Sequence, residues 1–308
     1  MLAPSGDQYE IAAGPYRAVV TESGAALRHL SHGGRDLVDG FGADEMASGG
    51  RGQLLVPWPN RTRDGRYSFE GRDHQLPLTE PKRGNASHGL ARWVAWTLEE
   101  HTPHSVSLQY RLMAQSGYPW TVDLHVLYDL SADGLTVTHT ATNMSGSRAP
   151  YAVGAHPYLR VGDGPVDGLE LHCPAATRVL VDRERLLPTG TEPVEGTAFD
   201  FRLPRPLGGL EVNDCLTDLE RDEHGLATTV LRDPSSGHGV ALWVDERFTC
   251  LQLYTADDVP ATARRSLAVE PQTAPADALN SGTDLVVLEP AGEDGDEHSG
   301  SWGVRAVD

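Results

Sequence analysis

The chain has 308 residues and a formal net charge of −19, with 44 Asp and Glu against 25 Lys and Arg. Such an excess of negative charge argues against nucleic acid and anionic membrane surfaces as partners, since both are bound through concentrated positive charge. No stretch approaches the roughly 18 apolar residues of a membrane span, and the N-terminus shows no basic segment followed by an apolar run. Cys173, Cys215 and Cys250 are odd in number, widely spaced and free of any C-x-x-C pair. That pattern suggests neither a disulfide framework nor a thiolate metal site, and the expectation is a soluble cytoplasmic protein.

Two-residue periodicity recurs along the chain while sustained helical periodicity does not. Tyr16 to Thr21 and Trp93 to Leu98 read as strands. Val106, Leu108, Tyr110 and Leu112 alternate with polar residues, as do Val122, Leu124, Val126, Tyr128 and Leu130. After the turn Ser131-Ala132-Asp133-Gly134, Thr136, Thr138, Thr140 and Thr142 occupy one face and Leu135, Val137, His139 and Ala141 the other. Two half-buried strands joined by a hairpin follow. Further strand-like runs lie at 177–181, 228–232, 239–244, 250–254 and 284–288, and the apolar segment from Trp302 to Val307 reads as a last strand beyond the acidic loop near 292–297. The 33 Gly and 21 Pro make about 18% of the chain, against roughly 12% in average usage, which suits many turns and few helices. An all-β antiparallel sandwich is expected, and without a linker, composition break or fixed-period repeat the whole of 1–308 is drawn as one domain.

Three segments carry the candidate chemistry. His156 sits in Gly154-Ala155-His156-Pro157-Tyr158-Leu159 and Glu270 in Ala268-Val269-Glu270-Pro271-Gln272-Thr273, each a titratable group among apolar and Pro neighbours. A carboxylate in such company is costly to bury unless paired, and such groups are enriched at functional sites, although a structural salt bridge explains it equally in isolation. The third segment runs from Val56 to Gly71 and continues to Asn85-Ala86-Ser87-His88-Gly89-Leu90. Its prolines and glycines make fixed irregular loops, the usual carriers of functional groups on a β scaffold. Arg61 offers a planar fork of donors for hydroxyl or carboxylate oxygens, in competition with Arg63 and Arg66, and Gly89 lets another chain approach closely behind His88. Trp58 offers a face for a sugar ring, or covers a core edge.

In order along the chain, Pro59-Asn60-Arg61 with Gly65-Arg66-Tyr67-Ser68-Phe69, Asn85-x-x-His88-Gly89, Ala155-His156-Pro157-Tyr158, Asn213-Asp214, Gln252-Leu253-Tyr254-Thr255 and Val269-Glu270-Pro271-Gln272 resemble the aldose 1-epimerase (galactose mutarotase) family. The likeness extends from about Tyr9 to Leu288. It implies an antiparallel β-supersandwich of the galactose mutarotase-like kind, a sugar as small-molecule partner, no cofactor and no metal, and interconversion of α and β anomers of an aldohexose such as glucose or galactose. It also implies that Glu270 is the general base and His156 the general acid. Arg61 and His88 would hold and polarise sugar oxygens, Asp214 and Gln252 would bind hydroxyls, and Asn60 and Tyr158 would be further substrate contacts. Asp214 has a turn-capping alternative.

Thr62 and Leu90 depart from the family pattern, in which an apolar residue and a second glycine are common there, and this puts the preferred substrate in doubt. Three rival readings remain. They are a hexose-6-phosphate 1-epimerase clamping phosphate with Lys82, Arg83, Arg63 or Arg66, a non-catalytic carbohydrate-binding protein, and a metal-dependent isomerase or hydrolase. Against the last stands the lack of any His-x-His or H-E-x-x-H pattern among the 13 histidines.

Overall fold

The computed structural model describes residues 2–308, whose regular secondary structure is almost entirely strand, the helices being the four-residue Ala278–Ser281 and a 3-10 turn at Val166–Gly168. The expected hairpin is present as Val122–Ser131 paired with Gly134–Asn143, closing at Ser131 opposite Gly134. Its side chains alternate as the sequence requires, with Leu124, Val126 and Tyr128 buried on one strand and Leu135, Val137, His139 and Ala141 on the other. These strands lie in a nine-stranded antiparallel sheet with Thr97–His101, Ser105–Leu112, Glu297–Val307, Gly239–Val244, Ala227–Arg232, Glu170–His172 and Arg205–Pro206.

The C-terminal strand is longer than expected. It covers Glu297–Val307, so the acidic loop ends at Asp296, and it lies at the middle of the sheet between Gly134–Asn143 and Gly239–Val244. Thr138 and Ser301 share a hydroxyl hydrogen bond of 2.9 Å on its outer face, while Trp302 Nε1 donates to buried His139 Nε2 at 2.7 Å on its inner face. Two expected strands shift. The run from Trp93 is irregular as far as Trp96 and becomes strand only at Thr97–His101, and the run from Asp284 pairs only over Val286–Leu288.

A second sheet of eight strands carries the site. Pro188–Pro193, Ala175–Val181, Asn213–Leu219, Cys250–Tyr254, Leu267–Gln272, Gly154–Ala155 and Leu54–Leu55 follow one another, with Tyr158–Leu159 also paired to Leu267–Gln272. Leu216, Leu251, Leu253, Leu267 and Val269 from this sheet share one core with Val122, Leu124, Val126, Val137 and Val304 from the nine-stranded sheet. This is the two-layered antiparallel β-sandwich expected from the strand pattern. Because side chains alternate, committing those residues to the core sends Cys215, Gln252 and Glu270, which are cross-strand neighbours, to the opposite face. A smaller sheet of Gln8–Ala13, Tyr16–Thr21, Leu27–His32 and Arg35–Asp36 is tied to the large one where Tyr128 Oη donates to Ala25 O at 2.6 Å. The three cysteines are buried and unpaired.

Candidate active site

Leu267–Gln272 is buried over its whole length, apolar toward the core and presenting Glu270 toward a cavity of about 330 Å³. That volume is at the small end of the ~300–1,000 Å³ range of small-molecule sites. His156 follows the short strand Gly154–Ala155 and is held by its own backbone, its N–H donating to Gln53 O at 3.1 Å and its carbonyl accepting from Gly52 N at 3.0 Å. The result is a close pair, His156 Nε2 lying 3.2 Å from Glu270 Oε1, with each side chain no more than 5% exposed.

Burial dominates the electrostatics of the pair. It pushes the Glu270 carboxyl up to about 8, against the opposing pull of the Gln272 amide, which donates to Oε2 at 3.0 Å, and of the Arg61 charge. Burial also pushes the His156 imidazole down to about 3, helped by the guanidinium charges of Arg92, Arg51 and Arg61. A lone ion in such a site is disfavoured, so at neutral pH the two residues hold one proton between them and are neutral as a unit. The Glu270 carboxyl group is close to the imidazole, but desolvation and three cations set the direction of its shift.

His88 and Asn60 both adopt left-handed backbone, with φ of 60° and 55°. This brings the His88 N–H to Asn60 O at 2.8 Å and the Asn60 N–H to His88 Nδ1 at 3.1 Å. Since Nδ1 accepts, the ring proton of the neutral imidazole is on Nε2. Burial, together with the charges of Arg92, His156 and Arg61, holds His88 well below the usual histidine range, so it is a neutral donor. Its ring meets His156 edge on, with centroids 5.7 Å apart. Arg61 is fixed by a two-pronged pair with Glu80, Nε to Oε2 at 2.8 Å and Nη2 to Oε1 at 3.1 Å, and its Nη1 donates to Asn60 Oδ1 at 3.1 Å. Asn60 Nδ2 donates to Gln252 Oε1 at 3.1 Å, and Gln252 Nε2 to Asn213 Oδ1 at 3.0 Å. The competition among arginines is resolved by geometry: Arg61 lines the cavity, Arg63 pairs outside it with Asp277 and Arg66 with Gln75.

The cavity wall therefore brings together Asn60, Arg61, His88, His156, Gln252 and Glu270. Two expected contacts are corrected. Asp214 points to the inner side of its strand, where Arg178 Nε and Nη2 reach its Oδ1 at 2.7 and 2.6 Å, and its neighbour Asn213 faces the cavity instead. The one-residue shift follows from strand alternation, which a motif match alone cannot phase. Tyr158 stands behind the site: its ring stacks on His156 at 4.9 Å and its hydroxyl donates to Gly49 O at 2.8 Å. Trp58 is a core residue, 2% exposed, and the Trp and Tyr that line the cavity are Trp93, 52% exposed, and Tyr254. Thr62 and Leu90 face away from the cavity, Thr62 paired with Ala86 and Leu90 packed on the core. Asn213→Ala is thus expected to raise KM several-fold with little loss of stability. Asp214→Asn should leave KM unchanged and lower the denaturation midpoint, because it weakens the part-buried pair with Arg178; comparison of KM and urea midpoint in the two variants checks this.

Sequence reasoning missed Arg92, Glu80 and Gly50. Arg92 lines the cavity beside Trp93 with no carboxylate within salt-bridge distance among the described residues. Gly50 abuts the His156 ring, since a Cβ there would come 2.6 Å from His156 Cδ2. The glycine-rich run Gly49-Gly50-Arg51-Gly52 is the signal that could have pointed to such a close approach. Among the described residues no three His, Cys, Asp or Glu side chains converge as a metal-ligand set.

A β-sandwich with a polar cavity built on a buried His and Glu defines a candidate acid–base site, and comparison with known families places the chain. The family model for aldose 1-epimerase matches residues 7–295, and the chain belongs to the aldose 1-epimerase family. It is 33% identical over 286 residues to the uncharacterized protein YihR of Escherichia coli strain K12, covering 92% of this chain and 90% of that one. It is 30% identical to the galactose mutarotase of Rattus norvegicus over 174 residues, covering 52% of this chain and 50% of that one. Among solved structures, the GalM/aldose epimerase homologue from C. elegans superposes with a TM-score of 0.86 at 22% identity, covering 97% and 98% of the two chains. The galactose 1-epimerase from Lactobacillus acidophilus gives 0.77 at 20% identity, covering 95% and 91%. At these identities the structural matches speak for the fold.

Proposed function

We propose that the chain is an aldose 1-epimerase that interconverts the α and β anomers of a free aldohexose, with residues 1–308 acting as one catalytic domain. The observation that carries this reading is the 3.2 Å approach of His156 Nε2 to Glu270 Oε1 at a cavity of monosaccharide scale. Opening a hemiacetal needs a proton removed from the C1 hydroxyl and one delivered to the ring oxygen. A pair sharing one proton meets that need when the proton is on His156 and Glu270 is ionised, a state one transfer across the contact produces without changing net charge.

Glu270 then takes the C1 hydroxyl proton as the C1 to ring-oxygen bond breaks, and His156 protonates the departing oxygen, leaving the open aldehyde with the pair's proton now on Glu270. Rotation about C1–C2 turns the other carbonyl face, and the reverse transfers close the ring as the opposite anomer. His88 Nε2–H and the Arg61 guanidinium supply donors for oxygens that gain negative charge, while Asn60, Gln252 and Asn213 form a linked amide row for hydroxyls. Trp93 offers an exposed face for the apolar side of a pyranose. The unpaired cysteines support a reducing, cytoplasmic setting, and among the described residues no helix is long and apolar enough to cross a membrane.

Polarimetry of freshly dissolved α-D-glucose and α-D-galactose tests the reading, with faster mutarotation than the spontaneous rate as the expected result. A folded protein that binds these sugars without accelerating either would be a carbohydrate-binding protein instead. One observation favours a sugar phosphate as a second reading. Arg83 reaches the cavity wall and Arg92 has no acidic partner there among the described residues, although Arg83 is already engaged by Glu80 at 3.2 Å. Acceleration confined to glucose-6-phosphate would select it.

The pH dependence follows from the pair. Below the lower pKa it gains a second proton and loses its base; above the higher it loses its only proton and with it the acid. With Glu270 raised to about 8 and His156 lowered to about 3, activity is expected to be flat through neutrality. The acid limb should fall well below the ~6.5 of an ordinary imidazole. A kcat/KM profile with its acid limb near the ordinary value would refute the assignment.

A further inference from the structure

The loop from Ser48 to Gln53 takes no part in the proton transfers, yet it touches the proposed acid at several points. Gly52 N and Gln53 O hydrogen-bond the His156 backbone, and Gly49 O accepts the Tyr158 hydroxyl. Gly50, with φ of +77°, leaves the ring just enough room, since a Cβ would stand 2.6 Å from His156 Cδ2. Arg51 is 2% exposed. Its Nη1 donates to Ser48 O at 3.1 Å, while its Nε and Nη2 reach Asp39 Oδ2 at 3.3 and 3.2 Å. The guanidinium lies 4.3 Å over the Tyr158 ring, and that ring is stacked within 12° of parallel on His156. Asp39, Arg51, Tyr158, His156 and Glu270 thus form one continuous packed series.

We propose that Arg51 is a positioning residue for the acid: anchored on Asp39, it holds the glycine loop and Tyr158 against the His156 imidazole so that Nε2 stays aimed at Glu270 and the substrate. This rests on the reading of His156 as the acid. The series ends in a buried guanidinium, so a fixed positive charge also lies one aromatic ring away from the imidazole and disfavours a second charge there. The other charged or titratable groups facing His156 are Arg92, Arg61 and His88 on the cavity side and Glu270 across the contact. Behind Arg51, Asp39 is shared with Arg265 at 2.8 Å, Ser266 at 3.0 Å and Arg160 at 3.8 Å, so it does not cancel Arg51 alone. Removing the Arg51 charge therefore makes His156 easier to protonate, from the lost repulsion and from the less compensated Asp39 alike.

The test uses the full chain with Arg51→Gln, Arg51→Lys and Gly50→Ala, following the mutarotation rate against pH and the NMR titration of labelled histidine. The His156 signal is assigned as the one missing in His156→Ala. For Arg51→Gln we expect a fall in kcat of about tenfold or more, within the roughly 100-fold that an ångström of misplacement causes. We also expect an upward move of about one pH unit in the His156 titration, with Arg51→Lys restoring the titration. Folded Arg51→Gln with an unmoved titration, or a titration that Lys does not restore, overturns the proposal. Should Arg51→Gln fail to fold, Gly50→Ala presses on the ring without changing charge. Lower kcat with an unmoved acid limb is expected, and unchanged kcat overturns the positioning role. A wild type inactive on every sugar refutes the functional reading, whereas the histidine titration still decides the claim about Arg51.

Discussion

Glu270→Gln is expected to lower kcat by about 10²–10⁴-fold while leaving KM close to wild type, and His156→Ala to do the same. The two side chains exchange a single proton, so losing either partner removes the whole relay, and the double variant should be hardly slower than the single ones. Additive losses measured by polarimetry would mean that the residues work independently. The Gln substitution keeps the shape of the side chain and an oxygen for the Gln272 amide, which now meets Glu270 at 3.0 Å. Its stability effect has a definite sign. A group whose folded pKa is raised, as the Glu270 carboxyl is to about 8, favours the fold below its unfolded pKa, and that advantage is lost as pH rises through the folded value. The neutral amide never incurs this loss, so Glu270→Gln should melt at a higher temperature than wild type at neutral and alkaline pH. An inactive yet more stable variant would separate chemistry from folding, the expected signature of a site whose strain serves function.

The sandwich was legible because its strands are amphipathic in the simplest way. The Thr136 to Thr142 face and its Leu135 to Ala141 partner leave a single register in which the core is dry, and the turn at Ser131 to Gly134 fixes that register. Glu270 and His156 could be singled out for the opposite reason, as titratable groups set in apolar company, but only their place in an ordered series of family-like motifs favoured a functional role over a structural one. What escaped were properties of the third dimension. Asp214 and Asn213 are adjacent in the chain but lie on opposite faces, and only the pairing of Cys215 with Gln252 reveals which one meets the cavity. Tyr158, two residues from His156, was expected to touch sugar but stacks behind the ring. Trp93 was assigned to a regular strand, and the irregular backbone there is what frees it, with Arg92 beside it, to reach the cavity mouth.

Gly89→Ala is expected to cost on the order of 3 kcal/mol of stability and most of the activity. It combines a left-handed residue, at about 1–2 kcal/mol, with overpacking at about 1–3 kcal/mol. Gly89 has φ of +70°, and a Cβ built on it would lie 1.9 Å from Val56 O and 2.3 Å from Val56 C. The obstacle is backbone and cannot swing aside. It is also the carbonyl that accepts the Leu90 N–H at 2.7 Å, so relief by moving the two segments apart sacrifices that bond. His88 immediately precedes this point, and its Nδ1 is registered on the Asn60 N–H at 3.1 Å. A displacement there turns Nε2–H away from the cavity, which is why activity should fall further than loss of folded protein explains. Gly71→Ala is the matched control, with φ of +75° and nothing within 4 Å of the added carbon. It should show only the backbone cost, about 1–2 kcal/mol, with full specific activity. Urea denaturation of both variants separates the contributions: equal losses would mean that conformation alone governs Gly89, whereas an excess in Gly89→Ala measures the close packing on Val56 that seats His88.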